Sequence, residues 1–70
     1  MTAAVQVEIN GEAREVPAGL TVTTLLHVLG LHAGRVAIER NREILPRSQW
    51  EATPVQPGDR YEIVHFVGGG

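Results

Sequence analysis

The sequence has no cysteine and no lysine, a single serine, and one residue each of methionine, tryptophan, tyrosine and phenylalanine. Without cysteine there is no disulfide, no zinc-thiolate site and no internal thiol nucleophile, which fits a reducing compartment. Without lysine there is no side-chain amine, so copies of the chain cannot be joined through lysine isopeptide bonds. No apolar run approaches the roughly 20 residues that a membrane-spanning helix needs. The opening residues, Met1 to Gln6, lack the basic start and apolar segment of a signal peptide. These absences lead us to expect a soluble, cytoplasmic protein. A net charge of -2 argues against nucleic acid as a partner.

Seventy residues bound a single domain. That is near the size at which one hydrophobic core hardly outweighs chain entropy. An autonomous enzyme would need an acid, base or nucleophile converging in a pocket. Ser48 stands alone, and His27, His32 and His65 are scattered, with Gly30 dividing the first two so that they do not share a helical face. Glu8, Glu12, Glu15, Glu39, Glu43, Glu51, Asp59 and Glu62 fall mostly at outward or turn positions and read as a solvated face. No catalytic site, metal site or bound cofactor is legible, so the chain reads as a non-enzyme.

Val5, Val7 and Ile9 alternate with Gln6 and Glu8, the period of a strand with one buried face. Asn10-Gly11 is a strong hairpin signal, because both residues tolerate positive φ. The return strand, about Ala13 to Val16, is more polar and ends at Pro17, which suits a sheet edge. Thr21 is placed to cap a helix, with Leu20 and Leu25 at the staple positions. Val22, Leu25, Leu26 and Leu29 form one apolar stripe, and Gly30 is placed for a left-handed C-cap with Leu31 packing back. A helix this short needs a sheet to lie on.

Arg35 to Arg40 reads as a third strand with Val36 and Ile38 on one face, and Asn41-Arg42 turns it into a short fourth, Glu43 to Leu45. Arg47 to Trp50 reads as a helical turn, with Trp50 plugging one end of the core. Thr53 to Val55 is extended, and Gln56-Pro57-Gly58-Asp59 has the order of a type II turn. Arg60 to Phe66 is the fifth strand. The order is ββαββ, with a final strand after a turn-rich stretch.

Two surface features stand out. Arg35, Arg40, Arg42 and Arg47 lie in one hairpin beside Glu39 and Glu43, which reads either as paired charges or as a docking patch for an acidic surface. Alternation along the fifth strand puts Tyr61 and Ile63 on one face and Glu62, Val64 and Phe66 on the other. Val64 and Phe66 then form an apolar contact patch, unless strand twist tucks Phe66 under an edge.

Val67-Gly68-Gly69-Gly70 follows that strand. Glycine packs nothing and loses the most freedom on ordering, so folding gives no reason for this ending. It reads as a frayed terminus or linker, or as a thin stem, about 13 Å long when extended, that carries the Gly70 carboxylate into a narrow partner site. Residues 1–66 would be the domain and 67–70 a flexible reactive tail.

A ββαββ chain ending in Gly-Gly resembles the β-grasp, or ubiquitin-like, superfamily. Within it, Ala37 to Trp50, with Pro46-Arg47-Ser48-Gln49-Trp50, and then Gly58-Asp59 before the last strand, is similar to the ThiS-type sulfur carriers of thiamine biosynthesis. Arg42 stands where many relatives have glycine. The resemblance implies an α+β fold, a mixed sheet around one main helix with the first and last strands as parallel central neighbours. It also implies that a ubiquitin-activating-type (ThiF-like) adenylyltransferase, using ATP and magnesium, adenylates Gly70. Cysteine-derived sulfur would then convert Gly70 to a thiocarboxylate, which donates sulfur to a ThiG-like thiazole synthase. Gly68 and Gly69 would let the tail enter both partners, and Val64, Phe66 and Val67 would form the partner interface. The carrier itself would bind no cofactor. The small subunit of molybdopterin synthase and a ubiquitin-like protein modifier remain alternatives.

Overall fold

The computed structural model describes residues 3–66. Five strands form one mixed sheet in the order β2-β1-β5-β3-β4, with β1 at Ala4–Ile9, β2 at Glu12–Pro17, β3 at Val36–Arg40, β4 at Glu43–Ile44 and β5 at Arg60–His65. The one α-helix among the described residues, α1, covers Val22–Val28, and short 3-10 turns cover Ala33–Arg35 and Arg47–Gln49. β5 is central, parallel to β1 and antiparallel to β3. The expected parallel pairing of first and last strands is therefore present, and β2 is an edge strand as its polarity indicated. That strand keeps Pro17 as its final residue, where an edge tolerates the missing N–H donor.

Alternation builds the core. Val7 and Ile9 from β1, Val16 from β2, Val36 and Ile38 from β3, and Tyr61 and Ile63 from β5 are all buried. They pack in one cluster with Val22, Leu25 and Leu26 of α1, none of which retains any solvent exposure, and with Trp50 and Val55.

Local chemistry sets the helix ends. Thr21 caps α1: its hydroxyl accepts from the Thr24 N–H at 3.3 Å, and the Thr24 hydroxyl accepts from the Thr21 N–H at 2.8 Å. This is a capping box with threonine where glutamate or glutamine is usual. At the other end Gly30 adopts φ 74°. The Leu31 N–H donates to the Leu26 carbonyl and the Gly30 N–H to that of His27, a Schellman closure. The Thr53–Val55 segment is extended against the chain entering the helix, with Val22 N–H donating to Thr53 O and Val55 N–H to Leu20 O. Trp50 is buried, donates from Nε1 to the Leu45 carbonyl at 3.0 Å, and lies 4.7 Å under the Arg47 guanidinium.

The two hairpin turns do more than reverse the chain. Asn10 and Gly11, at φ 50° and 84°, and Asn41 and Arg42, at φ 52° and 71°, are two-residue turns with both central residues at positive φ, the type I′ pattern. Each asparagine also grips β5. Asn10 Oδ1 accepts from the Ile63 N–H at 2.7 Å and its Nδ2 donates to the Ile63 carbonyl at 3.2 Å, taking the place of a further β1 residue. From the opposite side, Asn41 Oδ1 accepts from the Arg60 N–H at 3.0 Å.

Asp59 departs from the solvated-face reading of the carboxylates. It sits in the expected turn but points inward and is 5% exposed. Its oxygens accept from the Gln56 N–H at 2.9 Å, the Tyr61 hydroxyl at 2.8 Å, Asn41 Nδ2 at 3.2 Å and Arg40 Nε at 3.1 Å. Burial, the largest influence, pushes this carboxyl up. The four donors, led by the Gln56 N–H, outweigh it and hold Asp59 below its ordinary value. Burial first, and then the bond to Asp59, push the Tyr61 phenol up to about 12.

Two measurements probe this arrangement. Asn10→Gly keeps the turn conformation but strips Ile63 of both side-chain partners. It should cost about 1–3 kcal/mol, read in urea denaturation. Asp59→Asn leaves Arg40 uncompensated. Because 27% of the Arg40 side chain remains in solvent, the loss at neutral pH should fall at the low end of the range for broken buried pairs, about 3 kcal/mol. Asp59 is depressed in the fold, so its stabilisation is present above its unfolded value of 3.8 and fades as pH falls through the lower folded value. The gap between wild type and variant should narrow correspondingly below that pH.

Candidate functional site

β5 delivers the chain to its glycines. Its pairing with β3 runs from Arg40↔Tyr61 to Val36↔His65, and the Phe66 N–H still donates to the Arg35 carbonyl at 2.8 Å. The strand is thus hydrogen-bonded to the last described residue. Val67, Gly68, Gly69 and Gly70, the expected reactive tail, lie outside the described residues.

The face of β5 turned away from the core carries Glu62 and Val64, as alternation implied, and Val64 is 58% exposed. Phe66 is not tucked away either, with 56% of its surface exposed. Val64 lines an open hollow of about 410 Å³ with Ala37, Ile38, Glu39, Arg42, Ile44 and Glu62. Phe66 lines a neighbouring depression with Leu45, Pro46, Arg47 and Trp50. The two hollows share Ala37, Ile38 and Ile44, so Val64 and Phe66 belong to one apolar strip that crosses β3 near the end of β5.

Ile44 is the residue that sequence reasoning missed. At 79% it is the most exposed large hydrophobic side chain among the described residues. The signal was present: Leu45 packs against the core, so alternation sends its neighbour outward. Ile44 also stands opposite Glu39, an outward residue of β3. With Val64 and Phe66 it makes up an exposed apolar patch on the outer face.

The arginine-rich hairpin divides. Arg40 turns to Asp59, while Arg35, Arg42 and Arg47 are exposed. Among the described residues the ion pairs are Arg40–Asp59 and Arg60–Glu8, so Glu39 and Glu43 do not pair with their neighbouring arginines. Arg47 is engaged with Trp50 and donates to the Val36 carbonyl at 3.4 Å. His27, His32 and His65 are exposed and on separate elements. Among the described residues no group of three or more His, Asp or Glu side chains is arranged to hold a metal ion. No helix among them is long and apolar enough to cross a membrane.

Known proteins resemble this chain in sequence and in fold. The family model that describes the ThiS family matches residues 6–70, through the last glycine. The sulfur carrier protein ThiS of Escherichia coli is 35% identical over 65 residues, covering 93% of this chain and 98% of that one. A thiazole synthase of Paramagnetospirillum magneticum is 50% identical over 62 residues, and one of Magnetococcus marinus is 40% identical over 65. The chain spans only about a fifth of the length of these synthases, 19% and 20%. Among solved structures, the crystal structure of the thiamine biosynthesis protein ThiS from Geobacter metallireducens superposes with a TM-score of 0.79 at 38% identity, covering 94% of this chain and 100% of that one. A five-stranded mixed sheet on one helix among the described residues, a solved relative of the same fold and a family match running to Gly70 have one common reading: the chain belongs to the ThiS family.

Proposed function

We propose that this protein is a sulfur carrier of thiamine biosynthesis and that Gly70 is its reacting residue. The observation that carries this reading is the family match, which continues beyond β5 through all three glycines to Gly70. A terminal carboxylate is ionised at neutral pH, with a pKa near 3.5, and is a poor electrophile. Activation is therefore the first requirement. A ThiF-like adenylyltransferase joins the Gly70 carboxylate to AMP at the expense of ATP, with magnesium, and releases pyrophosphate. Sulfur derived from cysteine, delivered at the oxidation level of sulfide, attacks the carbonyl and expels AMP. The product is a Gly70 thiocarboxylate. A ThiG-like thiazole synthase takes the sulfur, and the carboxylate returns.

The carrier is a co-substrate and not a catalyst. Its own contributions are physical. Gly68 and Gly69 have no Cβ to clash inside a narrow active site. Val64, Phe66 and Val67, with Ile44, seat the domain on its partners. The sequence contains no cysteine, so the sulfur comes from another protein and no internal thiol diverts the activated glycine. ATP and magnesium belong to the adenylyltransferase, and an ATP-dependent step fits a cytoplasmic protein.

Incubation with ATP, magnesium, adenylyltransferase and sulfur donor should exchange one oxygen for one sulfur at the C-terminus, read by intact-protein mass spectrometry. A branched peptide with Gly70 in amide linkage to a lysine of another protein would instead identify a modifier. Deleting Gly70 should abolish pyrophosphate release without changing the melting temperature. Phe66→Asp should leave the fold intact, since Phe66 lies outside the buried cluster, yet slow adenylation by about tenfold or more, as expected for a contact worth over 1.4 kcal/mol. Unchanged turnover would remove Phe66 from the interface.

A further inference from the structure

The outer face of the sheet sets two acidic residues side by side. Glu39 of β3 and Glu62 of β5 stand directly opposite each other in the antiparallel register. Both are exposed. Directly opposed residues on one face have Cβ atoms about 4.5–5.5 Å apart, and like charges in that position destabilise a sheet. The obvious internal counter-charge does not resolve this. Arg42 lines the same hollow as both carboxylates, yet it forms no ion pair with either among the described residues. Arg60, also on β5, is engaged by Glu8 at 3.2 Å. The opposed carboxylates border the Ala37, Ile44 and Val64 surface of the hollow.

We propose that Glu39 and Glu62 together receive a basic side chain of the thiazole synthase, whose neighbouring apolar side chain fills the hollow between Ala37, Ile44 and Val64. The inference rests on the sulfur-carrier reading and deepens it by assigning charge recognition to two residues. Charge complementarity selects a cation, because only a positive group between the two carboxylates turns their repulsion into attraction. Seating an apolar group next to it displaces water, and the lowered local dielectric strengthens that attraction. The synthase is the partner of choice because the 50% and 40% identical relatives are thiazole synthases that hold a stretch like this chain within their own length. In such a chain the two parts meet at high effective concentration.

The test compares Glu39→Gln and Glu62→Gln in the full chain, with Glu15→Gln as a control of equal charge change on β2, at the opposite edge of the sheet from β4. Relieving the repulsion should raise the melting temperature of the free protein by about 1–8 °C for either site variant. The same variants should weaken binding to the thiazole synthase by about tenfold in titration calorimetry and flatten its salt dependence. The control should bind like wild type. A raised melting temperature with unchanged affinity would overturn the proposal, leaving the pair as mere surface frustration. An equal loss with Glu15→Gln would overturn it too, since the effect would then be overall charge. Failure of the wild type itself to bind the synthase would be a different result, in which the sulfur-carrier reading falls and the inference falls with it.

Discussion

The buried carboxylate of Asp59 is the point on which the sheet closes. It accepts from Gln56 in its own turn, from Arg40 of β3, from Asn41 in the β3–β4 hairpin and from Tyr61 of β5. Two segments, the end of β3 with its turn and the 56–61 stretch that opens β5, are thereby held to one side chain at the entrance of the central strand. A charge so deeply buried is tolerated only when its lone pairs are satisfied, and no buried side-chain polar atom among the described residues lacks a partner. The Arg40 guanidinium supplies the opposite charge. Tyr61 contributes both an apolar ring to the core and a hydroxyl to the carboxylate, which suits the amphipathic character of tyrosine.

The central strand is then gripped along its length. Asn41 holds its first residue and Asn10 holds Ile63, each from a tight turn whose backbone geometry favours asparagine. A residue type chosen for positive φ thus also supplies a side-chain amide that stands in for a backbone peptide. The strand is anchored on both sides and carries Val64, and Phe66 just beyond it, next to Ile44.

In a domain of this size the core cannot be large, and the inner face takes nearly all of the strongly apolar groups. The outer face keeps a few large apolar side chains in water and sets two carboxylates against each other. Neither feature stabilises the isolated protein. The proposed docking accounts for both, since a complementary surface would cover the apolar groups and compensate the charge.

The sequence by itself determined the elements: the Asn10-Gly11 and Asn41-Arg42 turns, the helix between Thr21 and Gly30, the alternation of β1, β3 and β5, and the glycine end. These are local properties of backbone conformation, side-chain branching and hydrophobic period, and the resemblance to β-grasp carriers supplied the parallel pairing of first and last strands, which no local signal contains. Only the tertiary structure decided that Asp59 turns inward, that the two turn asparagines bind β5, that Ile44 completes the apolar strip and that Glu39 meets Glu62. Each depends on which strand lies beside which and in what register. Neighbours brought together across twenty to fifty residues leave no periodic trace in the chain.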